Sequence, residues 1–124
     1  MKTPKDLGFI FPAEWEKHES TWLSYPHNEN SWPDKIETIF PSYNQFIAEV
    51  SKGEKVNINV LDQKMQDKVL AELQEIGTKM ENIHFHQFRT NDAWCRDHGP
   101  AFVLKSNQKA IVNWDYNAWG GKYP

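Results

Sequence analysis

Apolar and polar positions alternate most regularly around residues 55–60, where Val56, Ile58 and Val60 are separated by Asn57 and Asn59. A period of two predicts a strand. The period then changes: Met65, Val69, Leu70, Leu73 and Ile76 recur at three- and four-residue spacing, which predicts a helix with its apolar stripe on one face, closed by Gly77. Upstream, residues 20–25 (Ser-Thr-Trp-Leu-Ser-Tyr) carry β-formers and stop at Pro26, predicting a buried strand that leads into a loop over 27–33. Ile36, Ile39, Phe40, Tyr43, Phe46, Ile47 and Val50 follow at helical spacing, with Asp34 as the expected cap and Gly53 as the stop. Pro41 is expected to split that segment into two helices or to kink it. Residues 83–88 predict a further strand, with His84 and His86 on one face and Ile83, Phe85 and Phe88 directed to the core. Residues 101–105 and 109–114, joined across Ser106-Asn107-Gln108, predict a β-hairpin. The order β, α, β, α, β and hairpin places the chain in the α/β class, as a single piece over 1–124.

Length and charge narrow the functional classes. A chain of 124 residues supports one modest core. Its 14 Lys and Arg against 17 Asp and Glu give a net charge of -3, without a basic stripe or interleaved basic and aromatic residues, so nucleic acid is not an expected partner. The sign suits a small cationic ligand. The lysines near the start are not followed by an apolar run, and no window reaches the length of a membrane span, so a cytoplasmic chain without membrane contact is expected. The one cysteine excludes an intrachain disulfide and any multi-cysteine metal site. Six Trp, seven Phe and four Tyr are a heavy aromatic load, most of it expected in the core.

Candidate chemistry concentrates in Asn91-Asp92-Ala93-Trp94-Cys95-Arg96-Asp97-His98-Gly99-Pro100. Gly-Pro ends this polar run in a bend and feeds the apolar stretch from Ala101, which sets Asp97 at the lip of a sheet. A carboxylate there, near Trp94 and Asp92, can grip a planar guanidinium with two charge-assisted hydrogen bonds while an indole covers the cation. The competing reading pairs Asp97 with Arg96 or uses it to cap the turn. Arg96 either orients Asp97 or bridges to an acid elsewhere. Cys95 reads as a small buried hydrophobe rather than a nucleophile: in an extended run it shares a face with Asp97, and neighbouring acids raise a thiol's pKa. His84 and His86 have a spacing that some metal sites use, but no third ligand is evident, and no metal is assigned. Gly120-Gly121-Lys122 lacks the flanking residues of a phosphate loop.

Three segments together resemble the family of agmatine deiminases and bacterial peptidylarginine deiminases, within the guanidino-group-modifying superfamily. They are the run from Pro12 to Leu23, the run from Asn91 to Pro100, and Asn113-Trp114-Asp115-Tyr116-Asn117-Ala118-Trp119-Gly120-Gly121-Lys122-Tyr123. The resemblance implies the opening part of a pentein-type α/β propeller built from ββαβ units, and so an N-terminal fragment of a longer deiminase catalytic domain. In that family a cysteine thiolate attacks the guanidinium carbon, ammonia leaves, and water hydrolyses the thiouronium intermediate, with a histidine as acid and base and without a cofactor. By motif position Asp97 resembles a carboxylate that holds the guanidinium and Trp94 a pocket wall, while Arg96, Asp92, Asn117 and Trp119 are assigned to substrate binding. The family's nucleophilic cysteine, its histidine and its second acid lie further along than this chain extends, so Cys95 is not in the nucleophile's place and the fragment alone is expected to be inactive. The ending over 117–123 resembles agmatine deiminases, which favours agmatine, hydrolysed to N-carbamoylputrescine in polyamine metabolism, over peptidyl or free arginine. The alternative is a guanidine-binding module without catalysis. An opened propeller leaves strand edges unpaired, so self-association is expected.

Overall fold

Strands β1 (Ser20–Ser24), β2 (Lys55–Val60) and β3 (Ile83–Gln87) form a parallel sheet in the order β1-β2-β3 in the computed structural model, which describes residues 2–123. Helix α1 (Ile36–Ser51) connects β1 to β2 and helix α2 (Gln63–Glu75) connects β2 to β3. Strands added in sequence order by right-handed crossovers receive both helices on the same side. The core follows that rule: Ile47 of α1 and Val69 and Leu73 of α2 join Val56, Ile58 and Val60 of β2 in one buried cluster, together with Tyr25 and Ile83. The register sets Trp22 beside Asn57 and Asn57 beside His84, so the other face of the sheet is polar and aromatic. The α/β class and the β2-α2 pair are as the hydrophobic periods predict.

Helix α1 departs from its prediction in three ways. It is one helix through Pro41 and is not split in two, because the missing N–H would have served only the carbonyl of Glu37, on an exposed turn that water can reach. Asp34 does not cap it: with φ 57° Asp34 sits in the preceding turn, and Lys35 holds the cap position without a side-chain bond. The buried face is Asn44, Ile47, Ala48 and Ser51, whereas Phe46 is half exposed. Asn44 is tolerated inside because it is satisfied: its Oδ1 accepts from the Tyr25 hydroxyl at 2.9 Å and its Nδ2 donates to Glu72 at 2.8 Å. Burial, and next the Glu72 charge, push the Tyr25 phenol well above its ordinary pKa. At α2 the caps are complete. Asp62 accepts from the Met65 N–H at 2.9 Å, and Gly77, at φ 72°, allows the Thr78 N–H to return to the Leu73 carbonyl. Phe88, expected in the core, is instead exposed and stacks on His86.

The chain divides into two compact units, the sheet unit His18–Cys95 and a second one made of Met1–Lys17 with Arg96–Pro124. In the second, strands β4 (Ala101–Lys105) and β5 (Gln108–Val112) pair antiparallel through a two-residue turn in which Ser106 takes φ 49°. Leu104 also bridges to Ile10, with backbone bonds of 2.8 Å in both directions, and the Lys105 ammonium donates to the Leu7 carbonyl at 2.7 Å. Val103 is buried, while the cross-strand pair Phe102 and Ile111 is exposed. Four successive residues, Ala118 to Gly121, have positive φ, and the two that are not glycine, Ala118 and Trp119, are each strained by about 1–2 kcal/mol. No helix among the described residues is long and apolar enough to cross a membrane.

Candidate functional site

In a parallel sheet all strands end on the same side, and open α/β sheets bind ligands outside those carboxyl ends. The segments leaving β1 and β3 meet there. Asn28 Nδ2 donates to the Asn91 carbonyl at 3.1 Å, the Ser31 hydroxyl donates to the Asp92 carboxylate, and the rings of Trp32 and Trp94 stack at 5.8 Å with 24° between their planes. Asp92 is 5% exposed, and its other oxygen accepts the Ala93 N–H at 2.7 Å. Trp94 retains 42% of its surface. The structure thus sets Asn28, Ser31 and Trp32 of the loop after β1 against the segment that carries Asp92 and Trp94.

Cys95 sits beneath this rim. Its Sγ lies 3.1 Å from the hydroxyl of the fully buried Ser24, which also accepts from Asn59 Nδ2 at 3.2 Å. Burial pushes the Cys95 thiol up, and its hydrogen bonds with Ser24 oppose that only in part. The expected direction is therefore found, with a different cause. Residues Cys95–His98 form a single helical turn, α3, so Cys95 and Asp97 do not share the face of an extended run. A thiol held protonated in this way is a poor nucleophile.

The remaining predicted residues belong to the second unit. Arg96 Nη2 lies 2.9 Å from Glu14 Oε1, so of its two readings the bridge to a distant acid is the one realised. Both side chains of that pair are largely solvated. Asp97 is exposed, and among the described residues none forms a hydrogen bond or ion pair with its carboxylate. Three residues separate it from the start of β4, at the lip of that hairpin. Asn117 uses its Oδ1 to accept the Gly120 N–H at 3.1 Å. Trp119 meets Tyr116 and Tyr123 edge to face, at 5.5 and 5.8 Å between ring centres, and is half exposed.

The two histidines of β3 are on one face, as expected. His86 Nε2 lies 3.0 Å from Asn57 Oδ1, and its ring stacks on Trp22 at 4.7 Å. Among the described residues no group of three or more His, Cys, Asp or Glu is placed to hold a metal.

Comparison with known proteins places these observations. Residues 10–124 match the model of the Porphyromonas-type peptidyl-arginine deiminase family. Over 122 residues the chain is 32% identical to a Selenomonas ruminantium protein assigned by name to the agmatine deiminases, covering 98% of this chain and 32% of that one. It is 31% identical to the agmatine deiminase of Ectopseudomonas mendocina, covering 96% of this chain and 31% of the relative. Among solved structures, C. jejuni agmatine deiminase with substrate bound superposes with a TM-score of 0.75 at 29% identity, over 94% of this chain and 32% of that one. The chain spans about a third of the length of the relatives it matches.

Proposed function

The chain belongs to the Porphyromonas-type peptidyl-arginine deiminase family, and we propose that it supplies the N-terminal part of a guanidine deiminase whose substrate is agmatine. The reaction is hydrolysis. A cysteine thiolate forms a bond to the guanidinium carbon, the C–N bond to one terminal nitrogen breaks, and ammonia leaves with a proton delivered by a histidine. Water then attacks the same carbon, the C–S bond breaks, and N-carbamoylputrescine and free thiolate result. Neither the nucleophile nor the histidine is assigned to this chain. Its burial and its hydrogen bond to Ser24 count against Cys95 in the first role.

Within that scheme Asp97 is the residue of this chain that holds the guanidinium, through two parallel charge-assisted hydrogen bonds. The observation that carries this reading is the state of its carboxylate: exposed, with the adjacent Arg96 guanidinium drawn to Glu14 instead. Its charge is left for an external cation. Trp94 supplies an aromatic wall, and Asn117 and Trp119 are further substrate-binding residues. Agmatine is preferred to peptidyl arginine because the named relatives are agmatine deiminases. The complete domain is read as a propeller of ββαβ units, and its compartment as the cytoplasm.

The test is ammonia release from agmatine and from a peptidyl arginine, using the 124-residue chain beside the complete encoded protein. Activity confined to the complete protein is expected. Asp97→Asn in that protein should lower kcat/KM by about 2–5 kcal/mol in transition-state binding, because it removes a charge opposite a desolvated cation. Turnover by the short chain, lost on Cys95→Ser, would reverse the assignment.

A further inference from the structure

We infer that Trp32 and Trp94 act as one paired-indole surface for a flat cation, and that Asp92 is the positioning residue that sets the pair instead of a carboxylate that grips the substrate. This rests on the guanidine reading above and adds to it a residue, Trp32, and a different role for Asp92.

The argument begins with geometry. Planes 24° apart at 5.8 Å set Trp32 against the Trp94 indole, and Trp94 still keeps 42% of its surface, enough for a ligand to approach it. A guanidinium is planar and weakly hydrated and stacks on such a face. An indole on an unsupported loop would change rotamer freely; a stacked partner is worth roughly 0.5–1.5 kcal/mol and fixes the plane on which the cation lies.

What sets the partner is the buried acid. The ties between the two loops run in step along the chain, from Asn28 to Asn91, from Ser31 to Asp92 and from Trp32 to Trp94. Asp92 is the middle one. One of its oxygens takes the Ser31 hydroxyl of the first loop and the other takes the Ala93 N–H of its own loop. With a bond already made at each oxygen and only 5% of the residue exposed, it is poorly placed to grip a guanidinium through both oxygens. Its negative charge under the rim still favours a cation above.

Two readouts test this in the complete encoded protein: the circular-dichroism exciton couplet of the stacked indoles, and steady-state kinetics with agmatine. Trp32→Phe should abolish the couplet and raise KM by roughly three- to tenfold with kcat nearly unchanged, the scale of one aromatic stacking contact. Asp92→Asn and Ser31→Ala should both weaken the couplet and raise KM in the same direction. Ser31→Ala keeps the carboxylate, so it decides the question if Asp92→Asn does not fold. A direct grip by Asp92 predicts the opposite pattern, a collapse of kcat/KM in Asp92→Asn with Ser31→Ala silent, and that result overturns the inference. Turnover with a couplet and KM indifferent to all three variants also overturns it and leaves the deiminase reading intact. If no guanidine is turned over, the deiminase reading falls and takes the cation with it, and the couplet alone decides whether Asp92 sets the indole pair.

Discussion

The sheet unit and the hairpin unit solve the problem of burial differently. In His18–Cys95 two helices cover one face of three parallel strands, and eight residues form a continuous buried cluster. In Met1–Lys17 with Arg96–Pro124, Val103 is the buried hydrophobe of the described residues, and Phe102, Ile111 and Trp114 remain exposed. Two strands do not make a stable structure alone. The difference teaches that the first unit carries its own core, whereas the second holds Asp97 on a scaffold with apolar surface still to cover.

Substitution in the two cores should separate them most sharply. Ile58→Ala, on the central strand at 0% exposure, should cost about 3–4 kcal/mol in urea unfolding, since it removes three buried carbons and leaves a cavity. Val103→Ala, in the hairpin, should cost about 1–2 kcal/mol. Equal losses would mean that the units share one cooperative core.

Alkaline pH should act next, on the sheet unit. Tyr25, Tyr43 and Cys95 all have pKa values raised chiefly by burial. Each group binds its proton more tightly folded than unfolded, so its contribution is complete below its ordinary unfolded pKa and is lost as pH rises through the raised folded value. Hydrogen exchange followed from neutral to strongly alkaline pH should show the amides of β2 losing protection as the pH passes the ordinary thiol and phenol range. Unchanged protection would contradict the burial of these three groups.

The hairpin's open surface gives the third test. At high concentration the 124-residue chain should self-associate, and Phe102→Ser with Ile111→Ser should return it toward monomer in sedimentation. A monomer without those changes would show that the patch needs no partner. The smallest effect belongs to the Arg96–Glu14 pair: with side chains 86% and 73% exposed, Glu14→Ala should shift stability by no more than about 0.5 kcal/mol.

The parts of the molecule legible in the sequence were those that repeat locally. Val56-Asn57-Ile58-Asn59-Val60 and the stripe ending at Gly77 declare their elements because each residue's environment follows from its near neighbours. Asn44 was illegible because its burial depends on a tyrosine 19 and a glutamate 28 residues away. The same is true at the candidate site. Asp97 and Trp94 announce themselves in a dense motif, but Ser31 meets Asp92 across 61 residues, and no local pattern marks Trp32 as the partner of Trp94. The direction of the Cys95 shift was legible without its main cause, since a buried thiol and a thiol among acids are shifted in the same direction.

The bridge between Ile10 and Leu104 also sets an order of events during synthesis. The sheet unit is continuous and its strands pair with sequence neighbours, so all of its contacts are available once Cys95 has left the ribosome. The other unit is split around it, and Ile10 must wait for Leu104 before its backbone bridge can form. Nascent chains stalled far enough beyond residue 95 for Cys95 to have left the ribosome should already protect the amides of β2 from exchange, and those of Ile10 and Leu104 should become protected only in longer chains. The sheet unit is therefore an insertion that matures inside an unfinished host, and the hairpin that follows Asp97 pairs only after it.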